Sequence, residues 1–237
     1  SSAASDVYKR QECYVSPATI SRFCRALGYE NYAHLKQECS SFASDSKKFN
    51  NLINVPLDMM KDKPQECTKY YSDQVCDAIS KLSQRLDWNV IDKVLQAIHD
   101  SDSVAFFGTQ FSHSAALHFQ TDLLMLEKFT MAYMETERQI DCARLMDENS
   151  VAIIVTVNGF YARSNSKVLQ YLKKSKCKVV LMTNNPGIDI GINVNYTIVL
   201  GDSEQRKIGK HTLLTAVELM SLRYYSLYYP GIQEKII

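Results

Sequence analysis

The sequence predicts an α/β protein, a doubly wound parallel five-stranded sheet with a small all-α part ahead of it. Three observations predict this. From about residue 104 onward, short apolar runs rich in β-branched residues alternate with amphipathic stretches, the pattern of successive βα units in a parallel sheet. The clearest run, residues 151–155 (V-A-I-I-V), is apolar throughout, as in a strand covered on both faces. Before residue 104 the apolar side chains recur only at helical spacing.

Composition narrows the classes. A chain of 237 residues, with 46% hydrophobic and 22% charged residues, suits one sizeable globular domain plus a small one. The net charge of +1 exerts no global pull on nucleic acid or membrane, so any nucleic-acid contact must come from a local patch. No apolar run approaches the roughly 20 residues that span a bilayer, and no secretory signal is visible. The expectation is a cytoplasmic protein without a membrane partner. The seven cysteines are an odd number and none form a C-x-x-C pair, which argues for reduced thiols rather than zinc or redox chemistry. His113 and His118, five apart, do not share a helix face, and no cofactor or metal is expected.

Residues 1–11 have no apolar periodicity and read as a non-native scar, with genuine sequence starting near Glu12. Residues 15–28 form a well-signalled helix. Ser16 is a good N-cap, Pro17 takes the first helical position, and Gly28 stands where a C-terminal cap belongs. Ile20, Phe23, Cys24 and Leu27 make an apolar stripe opposite Ala18, Ser21, Arg22 and Arg25. A second amphipathic piece begins at Tyr32 and carries Leu35 and Lys36. The text then turns polar, and residues 46–65, with Pro56 and Pro64, read as a linker. Helices are expected over residues 66–86 and 89–99. Strands follow at 104–107, 130–134, 151–155, 178–183 and 196–200, with helices at 112–126 and 137–146, one after the third strand, and a closing one at 205–229. Right-handed crossovers favour the strand order 2-1-3-4-5.

That order opens a crevice at the carboxyl ends of strands one and three, where two polar turns would meet. One runs Gly108, Thr109, Gln110, Phe111, Ser112; the other runs Thr156, Val157, Asn158, Gly159, Phe160, Tyr161. A strand that ends in small polar residues before a helix is a natural anion site, because the first N–H groups of the helix are unpaired and its dipole adds positive potential. A nicotinamide site would need further glycines after Gly108, and none follow.

Two stretches resemble a known family. V-S-P-A-T-I-S-R-F-C-R-A-L-G-Y, residues 15–29, is very similar to the recognition-helix segment of RpiR-type transcriptional regulators, and residues 104–184 look like their sugar isomerase (SIS) domain. The resemblance implies a partial helix-turn-helix DNA-binding head at 12–45 and an SIS domain with leading helices at 66–237. It implies a bacterial regulator that binds double-stranded operator DNA, senses a phosphorylated sugar and assembles as a homodimer or higher homo-oligomer. Ser16, Ala18, Thr19, Ser21, Arg22, Arg25 and Lys36 would face DNA. SIS phosphate loops read G-x-G-x-S and S-x-S-G-x-T. Here Gly108, Ser112, Thr156 and Gly159 fit, while Gln110, Asn158 and Tyr161 depart. The resemblance therefore assigns the sugar phosphate to Gly108, Thr109, Ser112, Thr156, Asn158, Gly159 and Tyr161, with His211 near the start of the closing helix. Family heads carry further helices before the recognition helix, so a chain that starts near Glu12 is expected to bind DNA poorly. The competing reading is a sugar phosphate isomerase on the same scaffold. It needs a general base, and no spacing singles out Glu127, Glu135, Glu137 or His211, so no catalytic residue is assigned.

Overall fold

A computed structural model describes residues 16–26, 31–36, 57–156, 159–201 and 209–229. The scar reading of residues 1–11, Leu27, Gly28, most of the linker and Asn158 lie outside the described residues. The chain divides into two units, residues 1–53 and 54–237.

In the first unit, α1 spans Pro17–Ala26. Ser16 starts it as expected of an N-cap: its Oγ accepts the Thr19 N–H at 3.2 Å and lies 3.0 Å from the Thr19 hydroxyl. Cys24 is buried and Ile20 half-buried, but Phe23 is 57% exposed, so the expected apolar stripe is open at its middle. Residues 32–36 form a helical turn. Asn31 caps it by accepting the His34 N–H at 2.9 Å.

The second unit opens with α2 (Leu57–Asp62) and α3 (Pro64–Arg85). Both start inside the stretch read as linker, which corrects that reading for residues 57–65: Pro64 opens a helix, where its missing N–H costs nothing. In α4 (Trp88–Asp100), Asp87 accepts the Asn89 and Val90 N–H groups at 2.9 and 3.2 Å. Lys128 Nζ donates to the His99 and Ser101 carbonyls at the other end, at 3.0 and 2.6 Å, satisfying acceptors that the helix itself leaves unpaired.

The sheet follows: β1 (Ser103–Phe107), α5 (Phe111–Met125), β2 (Met131–Ala132), α6 (Thr136–Leu145) and β3 (Ser150–Val155). After β3 come α7 (Phe160–Ser164), α8 (Ser166–Ser175), β4 (Lys178–Thr183), β5 (Tyr196–Val199) and α9 (Gly209–Tyr228). All pairings are parallel, in the order β2-β1-β3-β4-β5, as the βα alternation predicts. All six residues of the central strand β3 are buried. Val151, Ile153 and Val155 pack towards the side of α4, α5 and α9, while Ala152 and Ile154 pack towards α6, α7 and α8, which is the two-residue alternation of a strand covered on both faces. Two elements depart from the expectation. β2 is two residues long rather than five, and the single helix expected after β3 is two, broken at Asn165. The Asn165 amide donates to the Tyr161 carbonyl at 3.1 Å, a local side-chain bond that competes with helix continuation.

Candidate ligand-binding site

The two polar turns leave adjacent strands. The β1–β3 register pairs Phe107 with Ile154, so Gly108 and Thr109 emerge one and two residues past that pair, level with Val155 and Thr156. Paired strands lie about 4.8 Å apart, which brings the two turns together at the carboxyl edge of the sheet, where the strand order reverses.

The first turn is tight. A Cβ on Gly108 would sit 3.2 Å from the Cβ of Ser112 and 3.4 Å from the His113 N, so a larger residue would need the start of helix α5 to give by a few tenths of an ångström. Gln110 then takes φ 52°, ψ −127°, a conformation that suits glycine and strains an L side chain. This is the position where the SIS pattern has its second glycine. The backbone keeps the glycine-type bend although the residue has changed. Gln110→Gly is therefore expected to raise the unfolding free energy by about 1 kcal/mol, read as a higher midpoint in urea. The α5 helix that starts here has 15 residues, long enough for its dipole and unpaired N–H groups to favour an anion.

The second turn is built differently. Thr156 Oγ1 accepts the Tyr161 N–H at 3.3 Å, and Gly159 takes φ 76° as the residue before α7. Only five residues of helix follow, so the dipole argument belongs to the first turn more than to the second. Formal charge comes instead from Arg163, whose Nη1 lies 3.7 Å from where a Gly159 Cβ would be. Arg163 is itself exposed on α7.

Gln139 of α6 joins the turns and was missed by sequence reading. It is 1% exposed. Its Nε2 donates to the carbonyls of Gly108 and Tyr133 at 3.0 and 2.7 Å, and its Oε1 accepts the Tyr161 hydroxyl at 2.5 Å. The one available signal was its position: Gln139, Cys142, Ala143 and Met146 follow one inward stripe at i, i+3, i+4, i+7, and an uncharged polar residue on such a stripe must find partners. Tyr161 is 2% exposed, and burial pushes its phenol well above the ordinary range. Its hydroxyl thus supports the second turn from beneath rather than facing the crevice.

The other expected residues fall as follows. Ser112 and Thr156 are 6% and 3% exposed, and Thr109 is half-buried. His211, in the first turn of α9, bonds the Tyr71 hydroxyl at 2.7 Å, a partner on α3 and not in either turn. Ser16, Ala18, Thr19, Ser21, Arg22, Arg25 and Lys36 are all exposed. A cavity of about 160 Å³ lies elsewhere, beside β2 and α6, among Ser103, Met131, Arg138, Cys142 and Leu145. Arg138 and Asp141 both line it, so its lining side chains carry no net positive charge for an anion. Among the described residues no group of three or more His, Cys, Asp or Glu is arranged to hold a metal ion, and no helix is long and apolar enough to cross a membrane.

Burial lowers the pKa of His113, against the charge of Glu135, and lowers that of His211, where Lys210 acts in the same direction. The fold thus favours both imidazoles neutral. Their contribution to stability is complete above the unfolded value near 6.5 and is lost as pH falls through the folded values. Thermal midpoints should fall between pH 7 and pH 5, and His211→Gln should flatten that slope.

No family model matches the chain. It is 25% identical over 174 residues to an uncharacterised HTH-type transcriptional regulator of Providencia stuartii, covering 73% of this chain and 60% of that protein. It is 24% identical over 150 residues to the HTH-type transcriptional regulator HexR of Pseudomonas aeruginosa, covering 63% of this chain and 51% of that one. The chain thus spans between half and two thirds of these curated relatives. Among solved structures, the Vibrio vulnificus NanR protein complexed with ManNAc-6P superposes with a TM-score of 0.64 at 14% identity, over 95% of this chain and 80% of that one. The sugar isomerase domain of the RpiR transcription factor from Sphaerobacter thermophilus gives 0.51 at 13% identity, over 69% and 96%. Phosphoheptose isomerase GmhA from Neisseria gonorrhoeae gives 0.57 at 13% identity, over 69% and 100%. The fold is that of SIS domains, and the homologues are HTH-type transcriptional regulators.

Proposed function

We propose that this RpiR-type chain, a helix-turn-helix part joined to an SIS domain, is a transcriptional regulator of sugar metabolism whose SIS domain senses a phosphorylated sugar. The observation that carries the reading is the convergence of two polar turns on adjacent strand ends. In it, the N-terminus of a 15-residue helix and the Arg163 guanidinium supply positive potential where a phosphate dianion would lie. Gly108, Thr109 and Ser112 would hold the phosphate, with Thr156 and Gly159 opposite. Asn158, expected in the same role, belongs to the proposal on sequence alone, and His211 would act only if a ligand drew it from Tyr71.

In the first unit, the exposed Ser16, Ala18, Thr19, Ser21, Arg22 and Arg25 would approach phosphates and base edges from one helix, with Lys36 as a backbone contact. The expected weak DNA binding of this chain is checked by gel shift. A second copy is the proposed assembly partner: Leu117, Leu124 and Met125 of α5 and Leu214 and Leu222 of α9 are exposed, on helices tied by the Ser221–Asp122 hydrogen bond of 2.6 Å. Sedimentation velocity tests this by the mass of the particle.

The sensor reading is tested by a thermal-shift screen against hexose, pentose and amino-sugar 6-phosphates. A ligand at a hundred times its dissociation constant stabilises by about 2.7 kcal/mol, or about 5–10 °C for a domain of this size. Ser112→Ala and Arg163→Gln should remove most of that shift. If no sugar phosphate moves the midpoint, the sensor reading fails. If a sugar phosphate is converted to an isomer, the chain is an enzyme; the relatives named as transcriptional regulators favour the other outcome.

A further inference from the structure

Asn184 follows the last paired residue of β4, Thr183, which is opposite Val199. Its side chain is 0% exposed, and neither its Oδ1 nor its Nδ2 has a hydrogen-bond partner. Buried primary amides are almost always satisfied, because an unpaired donor or acceptor in a low-dielectric interior is costly. A conformational reason for an asparagine is also lacking. No positive φ occurs at Asn184, and the turn after β4 is closed by other side chains: Thr183 Oγ1 accepts the Asn185 N–H at 3.1 Å, and Asn185 Oδ1 accepts the Gly187 N–H at 3.2 Å.

The location gives the amide a use. The Thr156 N–H donates to the Met182 carbonyl at 3.0 Å, and the β3–β4 register pairs Val155 with Met182. Asn184 therefore stands one residue past the level of Thr156, at the end of the strand beside β3 and one strand further from β1. Along β4, Val180 and Met182 pack with the α4, α5 and α9 layer, and Asn184 comes next in that alternation, on the layer to which the first-turn helix α5 belongs. A phosphate between the two turns would leave the rest of its sugar within reach of the β4 end.

We infer that Asn184 is a specificity-determining residue for the sugar part of the ligand, pairing its carboxamide with two neighbouring hydroxyl groups. This rests on the sensor reading above and deepens it. A carboxamide offers a donor and an acceptor side by side and carries no charge. It matches a vicinal diol, one hydroxyl donating to Oδ1 and the next accepting from Nδ2, and gives no electrostatic reward to a phosphate or an ammonium group. A site that buries such a group discriminates strongly against ligands that leave it unpaired. Reaching it requires the connection over residues 185–195 to shift, since Ile188 of that connection presses on Gly159.

The test compares the wild-type chain with Asn184→Leu, a near-isosteric apolar replacement, in two measurements. The first is thermal stability without added ligand. The midpoint should be unchanged or raised, because the variant removes two unpaired polar atoms; a clear drop would overturn the inference by showing that the amide has a structural partner. The second is calorimetric titration with the sugar 6-phosphate giving the largest wild-type shift, and separately with inorganic phosphate. The variant should lose at least tenfold in affinity for the sugar phosphate and stay within about twofold for inorganic phosphate. Equal affinity for the sugar phosphate would overturn the inference while leaving the sensor reading intact. Equal losses for both ligands would also overturn it, since Asn184 would then act on the phosphate. A wild-type chain that binds no sugar phosphate would overturn both.

Discussion

Gln139→Leu should lower the unfolding free energy of the second unit by about 3–5 kcal/mol, the largest effect expected of a single polar residue in this chain. The replacement fits the volume but leaves the Tyr161 hydroxyl without its acceptor and the Gly108 and Tyr133 carbonyls without their shared donor. The Tyr161 hydroxyl and the Gly108 carbonyl are buried, and each then bears its desolvation penalty without compensation, while Tyr133 is an exposed residue whose carbonyl can turn to water. For a unit of this size the loss corresponds to about 6–20 °C in midpoint. Tyr161→Phe should cost less, about 1–2 kcal/mol, because it removes the donor and leaves only the Gln139 oxygen unpaired. The two changes meet at one hydrogen bond, so the double variant should be less destabilised than the sum of the singles by about 1 kcal/mol. Urea unfolding of all four proteins measures that coupling. Additive losses would show that Gln139 does not join the two turns.

Gly159→Ala should cost about 2–4 kcal/mol, from two separable sources. A residue with a Cβ at φ 76° carries about 1 kcal/mol of backbone strain. The Cβ would also lie 1.9 Å from the Cδ1 of Ile188, so Ile188 must leave the place where it packs against the second core cluster, at about 1–3 kcal/mol. Ile188→Ala in the Gly159→Ala background should relieve the clash and keep the strain. The double variant should therefore be less impaired than the two single losses added together. If Ile188→Ala gives no relief, the two side chains do not share that space.

The fold was legible where burial forces a pattern. β1, β3 and β4 are covered on both faces and so read as unbroken apolar runs, and the alternation with helices fixed the parallel order β2-β1-β3-β4-β5. The edge of the sheet was not legible in the same way. Residues 130–134 look like a strand of five, but β2 has one neighbour and pairs only at Met131 and Ala132, since local propensity does not reveal how far a partner strand extends. The break at Asn165 was hidden because Val168, Tyr171 and Leu172 continue the helical spacing, while the bond that ends the first piece comes from one amide to a carbonyl four residues earlier. In the first unit, Ser16 announced its cap, whereas the exposure of Phe23 could not be inferred from a stripe that includes it.

The candidate site was half legible. Gly108, Ser112, Thr156 and Gly159 stood out as small residues ending strands. Gln110 looked like a plain departure from a glycine pattern, and only the backbone shows that the bend survived the change. Gln139, Arg163, Ile188 and Asn184 owe their relevance to contacts or positions set by other segments, and no local pattern carries that. Tyr161 looked like a ligand contact because it occupies a motif position; the packing below α7 turns it towards Gln139.

Amide chemical-shift mapping of the isotope-labelled chain, titrated with the sugar 6-phosphate that gives the largest thermal shift, reads the two turns directly. The largest saturable changes should fall on Gly108, Thr109, Ser112 and Gly159, with Asn184 following only when the sugar is present and not with inorganic phosphate. Changes confined to the cavity around Met131, Arg138 and Cys142, or none at the two turns at millimolar ligand, would contradict a phosphosugar held between the ends of β1 and β3.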